Sequence, residues 1–287
     1  NKTGVIMRSR QMVGNILILE TAFLWSFLGI ATKMVTYHGM TVTAVISLVA
    51  MLTLRVCNRG SAIRWNRQIL LTALATAGQT ICFFLANKYT TVANTIVLQY
   101  CSPIFVLFYY RIFQKRRLKC QQIISVAVCS AGILIFFAGQ INTGMMLGNI
   151  LALASGIMFG GQFYLGAMED NDPVSANLFS QIICILITGT YAVFFAHDVF
   201  DVRQTGILVV AGFLCSGVAA VLYTRGIQMT TALNANLIAS SEIIMAPIWS
   251  YLIFHETIGK WAAVGAVLMV GAILYETLFE ARNEAEK

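Results

Sequence analysis

Apolar runs of helix-spanning length fill this chain almost from end to end. A helix needs about 20 such residues to cross a hydrocarbon core. Reading between polar breaks gives ten segments, at 13–35, 40–57, 67–86, 91–112, 119–138, 145–166, 174–196, 205–224, 233–254 and 259–279. In lipid only helices and closed barrels satisfy every backbone polar group. Barrel strands would alternate over roughly ten-residue stretches, whereas these runs are continuous. The expected fold class is therefore an all-α membrane protein of ten transmembrane helices. Composition agrees, because only 11% of the 287 residues are charged and 58% are hydrophobic. A soluble domain carries about a quarter charged residues to hydrate its surface. The first segment lacks a small-residue cleavage site and exceeds a signal peptide's apolar core, so it is expected to be retained.

Several chemistries are disfavoured by spacing. The seven cysteines form no C-x-x-C pair, and most lie inside apolar runs where cysteine acts as a small hydrophobe. His38, His197 and His255 are far apart and near segment ends, which gives no metal-site pattern. The formal net charge of +7 sits between apolar runs, so it reads as membrane topology and not as a nucleic-acid surface. No G-x-x-x-x-G-K-[ST] loop occurs, and neither H-E-x-x-H nor G-x-S-x-G is present. Direct ATP drive and hydrolase chemistry therefore have no motif here, and no cofactor is expected beyond a proton or ion gradient.

Lys and Arg gather on cytoplasmic loops of membrane proteins. With the N-terminus inside, 15 of the 19 basic residues fall on that side, and Lys33, Lys88, Arg203 and Lys260 fall on the other. The expected arrangement is a multi-pass membrane protein with both termini cytoplasmic. The bias is concentrated in segments one to five.

An internal repeat narrows the architecture. GNILIL (Gly14 to Leu19) opens segment one, and GNILAL (Gly148 to Leu153) opens segment six. TTVAN (Thr90 to Asn94) opens segment four, and TTALN (Thr230 to Asn234) opens segment nine. Two units, 1–140 and 141–287, are implied. Five segments per unit is an odd number, so the second unit inserts upside down relative to the first. Inverted repeats of this kind build secondary transporters with a substrate site near the midplane between the units.

Ionisable groups deep in a span are costly and mark functional sites by default. Glu242 lies near the middle of segment nine, and Glu20 lies in the inner third of segment one. An acid there can hold a substrate ammonium, or take and release a proton as a cavity changes side. The alternative is a neutral glutamic acid hydrogen-bonded between helices. Gln99 and Tyr100 precede Pro103, and Pro247 follows Glu242, so bends beside these polar groups are expected to free carbonyls at membrane depth. Gln79, Gln162, Asn94 and Asn236 are the remaining amides, which either face a cavity or join helices. Trp25, Phe83, Tyr223 and Trp249 are candidates for aromatic walls. Arg111, Lys33 and Glu276 lie near segment ends, where snorkelling accounts for them. G-x-x-x-G within GIMFGG (Gly156 to Gly161) predicts a close helix crossing at the repeat interface.

These residues resemble the EamA-domain family of the drug/metabolite transporter superfamily. LETAFLWSFLGIATKMV, with Trp25 and Lys33, looks like that family's first helix, although Ser26 stands where Gly is usual. ANTIVLQYCSPIFV is similar to its fourth, and LIASSEIIMAPIWSYLIFHETI, with Glu242, Pro247 and Glu256, to its ninth. GAVLMVGAIL matches the small-residue tenth helix, while Lys115 and Arg116 replace the usual Gly-Glu pair after the fourth. The resemblance implies secondary transport by alternating access, often export of amino acids or related metabolites. The site expected to bind substrate comprises Glu242, Glu20, Trp25, Gln79, Asn94, Gln99, Tyr100, Gln162 and Tyr223. The partners expected are a small-molecule substrate and the bilayer, with no nucleic acid, in a monomer or homodimer. A broad exporter of lipophilic cations is the competing transport reading. A lipid-handling membrane enzyme or a structural subunit would need convergent catalytic groups, or would leave two membrane acids idle.

Overall fold

The computed structural model describes residues 2–138, 145–255 and 260–285, and everything described is helix or connecting turn. The spans are α1 Ser9–Lys33, α2 Gly39–Cys57, α3 Arg67–Asn87, α4 Asn94–Ile112, α5 Cys120–Phe136, α6 Met146–Gly166, α7 Pro173–Ala196, α8 Val202–Met229, α9 Ala232–Ile253 and α10 Lys260–Arg282. Among the described residues nine of these are long and apolar enough to cross a hydrocarbon core, and α5 is shorter. They coincide with the ten predicted segments. The boundary at 140 and 141 and the closing Glu256 lie outside the described residues.

Three spans are interrupted. The helical hydrogen bonding of α1 loosens at Ser26–Phe27, that of α4 at Tyr100–Cys101, and that of α9 at Ser240–Ser241. The breaks in α4 and α9 correspond between the two units. The expected cause was proline, and this fits α4, whose break immediately precedes Pro103, but not α9. Pro103 sits in the first turn of the helix that resumes at Ser102, where a missing N–H costs nothing. Pro247 lies inside the helix Glu242–Phe254, past the break. In α9 no proline occupies the break itself, so the interruption belongs to the repeated unit and not to one residue.

The two units are interleaved rather than set side by side. α3 packs on α6 as α8 packs on α1, and α2 packs on α8 as α7 packs on α3. α4 packs on α6 as α9 packs on α1, while α5 meets α10, α2 meets α7 and α4 meets α9. Every one of these pairs joins one unit to the other, and the pattern is unchanged when the units are exchanged. Gly156 and Gly160 permit the α4–α6 crossing, since a Cβ at Gly156 would lie 2.5 Å from the Leu98 carbonyl oxygen. The G-x-x-x-G reading is thereby located.

The sequence echoes meet across this interface. In the second unit, Thr231 caps α9 by accepting from the Asn234 N–H at 3.3 Å. Thr230 Oγ1 and Asn234 Nδ2 then donate to Asn15 Oδ1 of α1, at 2.6 and 3.0 Å. In the first unit, Thr91 caps the same turn by accepting from the Asn94 N–H at 3.1 Å. Thr90 Oγ1 and Asn94 Nδ2 donate to Asn149 Oδ1 of α6, at 2.8 and 2.9 Å. Each G-N pair thus holds the other unit's T-T-x-x-N. The glycine before each asparagine lets the backbones approach. A Cβ at Gly148 would lie 2.5 Å from the Tyr89 carbonyl carbon, and one at Gly14 would lie 2.6 Å from Met229 Cβ. We expect Gly14→Ala and Gly148→Ala each to lower stability by about 1–3 kcal/mol in thermal unfolding of the detergent-solubilised protein. Gly271→Ala, where a Cβ meets nothing within 4 Å, should leave it unchanged or slightly raised.

Candidate functional site

A cavity of about 850 Å³ lies between the units. Its walls come from the C-terminal ends of α1, α3, α5 and α7, from the start of α2, and from the second half of α9. In an alternating bundle those ends share one face, the face opposite the chain's start. The cavity is of the size that takes a small organic ligand. It descends to the level of the broken helices.

The broken helices place its polar floor. Tyr100 is the first residue of the gap in α4, and Glu242 is the first residue of the helix that resumes in α9. The Tyr100 hydroxyl donates to Glu242 Oε2 at 2.5 Å. Gln99 lines the same floor. Glu242 thus lies in the first turn of the resumed helix, where the helix dipole suits an acidic group. The walls are largely apolar, with aromatic rings that include Phe83, Phe84, Phe136 and Phe137. Lys33 and His38 bring nitrogen functions to the same wall, and the His38 ring stacks on Tyr191 with centroids 5.2 Å apart.

Below the floor the bundle is closed by packed rings. Tyr100 meets Phe159 edge-on at 5.6 Å, Phe159 meets Phe163 at 5.1 Å, and Phe163 meets Tyr223 at 5.5 Å. Trp25 tilts against both Phe159 and Tyr223, at 6.3 and 6.1 Å. These rings separate the cavity from the N-terminal face.

The EamA-like transporter family model matches residues 12–138 and again 146–276. The chain belongs to the EamA-like transporter family. An uncharacterized transporter of Archaeoglobus fulgidus is 22% identical over 219 residues, covering 72% of this chain and 75% of that protein. An uncharacterized transporter of Methanothermobacter thermautotrophicus is 35% identical over 69 residues, which is 24% of this chain and 20% of its own length. A solved crystal structure superposes with a TM-score of 0.82 at 16% identity, covering 94% of this chain and 98% of its own. That likeness is one of fold.

Within this EamA-like transporter, three of the nine residues predicted to bind substrate line the cavity: Glu242, Tyr100 and Gln99. Trp25 and Tyr223 belong to the aromatic closure below it, where the Tyr223 hydroxyl donates to the Gln162 carbonyl at 3.3 Å. Gln162 is buried beside them. Gln79 packs against α6, its carbonyl accepting from Ser155 Oγ at 3.1 Å. Asn94 is committed to the α4–α6 lock. Asn236 accepts from Ser102 Oγ at 2.9 Å and so joins α9 to α4. Glu20 shares the outward stripe of α1 with Ile16, Leu19 and Phe23, because Gly14, Ile18, Thr21 and Ala22 take the packed face.

Two snorkelling assignments need correction. Lys33 lines the cavity. Glu276 is fully buried at 0% exposure and accepts from Ser125 Oγ at 2.7 Å. Arg111 is exposed near the end of α4, as expected. Among the candidate aromatics, Phe83 lines the cavity, while Trp249 stacks on Phe27 at 4.6 Å and donates to Ser26 Oγ at 2.9 Å. Position near a helix end misled for Lys33 because the cavity reaches that end. In a double-mutant cycle, Asn94→Ala and Asn149→Ala should each destabilise the protein and couple by about 1 kcal/mol. Additive effects in chemical unfolding would show that the amides act separately.

Proposed function

We propose that this chain is a secondary carrier, working as an exporter, for small zwitterionic or cationic metabolites, with amino acids and amines the substrate class. The observation that carries this reading is the cavity floor, where the Glu242 carboxyl, hydrogen-bonded by Tyr100, shares one aromatic-walled cavity with Lys33. A carboxyl can pair with a substrate ammonium, and an ammonium can pair with a substrate carboxylate. An α-amino acid carries both groups at opposite ends of a small body. Aromatic walls then cover its side chain and exclude water, which strengthens both pairings. The chain acts as a carrier and not an enzyme, exchanging access between two faces around this floor, with a proton or ion gradient as the drive. The basic residues on the loops of the first unit support a cytoplasmic N-terminal face in the plasma (inner) membrane. In that orientation the cavity opens away from the cytoplasm. It works as a monomer or a homodimer.

The second reading, export of lipophilic cations, draws on the same walls, since aromatic faces attract cations. Lys33 separates the two. An amino acid needs both charges, whereas a lipophilic cation is repelled by Lys33 and needs only Glu242. In a thermal-shift screen of the purified protein, amino acids should stabilise the wild type in proportion to occupancy. Glu242→Gln and Lys33→Gln should each weaken that binding by at least about tenfold, or about 1.4 kcal/mol. Stabilisation by lipophilic cations that Lys33→Gln leaves intact or improves would favour the second reading. Uptake into proteoliposomes that is unchanged in Glu242→Gln would reject the assigned floor.

A further inference from the structure

The lock on the N-terminal face differs from its counterpart in one chemical respect. Between Glu20 and Glu169 the chain contains no acid at all, so the Asn149–Thr90–Asn94 lock is drawn from a stretch of sequence with none. At the N-terminal face, the last turns of α10 bring two carboxyl groups to the matching place. Glu280 accepts from Gln11 Nε2 of α1 at 3.0 Å and from Thr231 Oγ1 of α9. Thr277 Oγ1 donates to Asn234 Oδ1 at 2.9 Å, tying α10 to the lock itself. One turn before Glu280, Glu276 is 0% exposed, and its Oε2 accepts from Ser125 Oγ of α5. Its other oxygen, Oε1, is buried with no hydrogen-bond partner among the described residues.

We propose that Glu276 is a proton-binding site, distinct from the cavity acid Glu242, whose occupancy decides whether the N-terminal face is shut. The proposal rests on the alternating-access reading but not on the substrate class. A buried ionised carboxylate with one oxygen unpaired is strongly penalised, whereas a neutral acid in the same place is not. Glu280 at i+4 on the same helix adds like-charge repulsion whenever both are ionised. The shut face therefore holds Glu276 with its proton. Loss of that proton to water at the N-terminal face leaves a carboxylate beside Glu280, and the gain is greatest if α10 separates from α5 and α9 to hydrate it. Lys119, which caps α5, and Arg116 in the connection before it face Glu276 and draw the charged form toward that water. Tyr110 of α4 faces Glu280 and carries Arg116 over its ring at 5.2 Å. Cys129 stands one turn above Ser125 on α5, and α1 and α9 contribute the neutral Gln11, Thr231 and Asn234. Acid then holds the face shut, and alkali opens it.

Cys129 provides a native reporter. It is 0% exposed, with Sγ 3.6 Å from Ser240 Oγ, whereas Cys120 at the start of α5 is exposed. The purified protein in detergent is treated with a small water-soluble thiol reagent across a pH series, and mass spectrometry reads modification of Cys129 relative to Cys120. The ratio should rise as pH rises, by up to about tenfold per pH unit for a single controlling proton. Glu276→Gln, isosteric and permanently neutral, should hold the ratio low and flat, Glu276→Asp should restore the rise, and Glu242→Gln should leave it intact. A flat wild-type ratio, or a rise that survives in Glu276→Gln, would overturn the proposal. Amino-acid binding that persists beside a flat ratio would sink the Glu276 site alone. A proton-dependent ratio without amino-acid binding would sink the substrate reading alone.

Discussion

Two asparagine side chains, Asn15 and Asn149, hold the bundle in its present arrangement, and each does so by bonding the opposite unit. In hydrocarbon there is no hydrophobic force between helices, so association depends on close packing and on polar groups that find partners across the crossing. The G-N and T-T-x-x-N elements supply both requirements together. The glycine brings the backbones within reach, and the asparagine oxygen accepts two donors from a helix start whose third N–H the adjacent threonine already caps. Because the partners come from different units, neither five-helix unit can complete its own packing. The interleaving of α3 on α6 and α8 on α1 follows from that exchange.

The cavity is a consequence of the same exchange. Once α4 is tied at its start to α6, and α9 to α1, each continues only a few turns before its hydrogen-bond ladder stops, at Tyr100–Cys101 and Ser240–Ser241. Non-helical backbone at membrane depth is tolerated where it lines a cavity or is buried in protein. Here both breaks lie at the level of the floor, and the second presents Glu242 as the first residue of a resumed helix. The carboxyl is thus held by backbone geometry and by the Tyr100 hydroxyl, without a long side chain searching for a partner.

Much of this was legible in the sequence, and the remainder was hidden for definite reasons. Spans can be read because the bilayer demands continuous apolar runs, and the echoes can be read because two copies of one packing problem kept one solution. The direction in which a polar side chain points is a different matter. Glu20 and Glu242 both lie within apolar runs, but α1 buries the stripe of Gly14, Ile18 and Ala22, which turns Glu20 outward. Asn94 and Gln99 are five residues apart, and one serves the lock while the other serves the floor. Proline suggested where the helices bend, yet the break repeated in α9 needs none, so its cause lies in tertiary packing that no local motif reports. Lys33 and Glu276 were assigned to the interface by their nearness to helix ends. That rule assumes a solid bundle, and it fails at the end that opens and at the end that is sealed.

The two locks match in their amides and threonines but not in their charge. An exact two-fold relation would make the two faces open with equal ease whenever the conditions on both sides are the same. Carboxyl groups added to one lock only, as Glu276 and Glu280 are, give that face a chemical variable that the other lacks. The stretch from Glu20 to Glu169, which supplies the counterpart's Thr90, Asn94 and Asn149, contains no acid between its ends. On the proposed alternating-access reading, repetition provides two alternative closures, and the departure from repetition is the means to choose between them. In a duplicated carrier, polar residues present in one unit and absent from the other are where coupling has room to arise, because only they distinguish one face from the other.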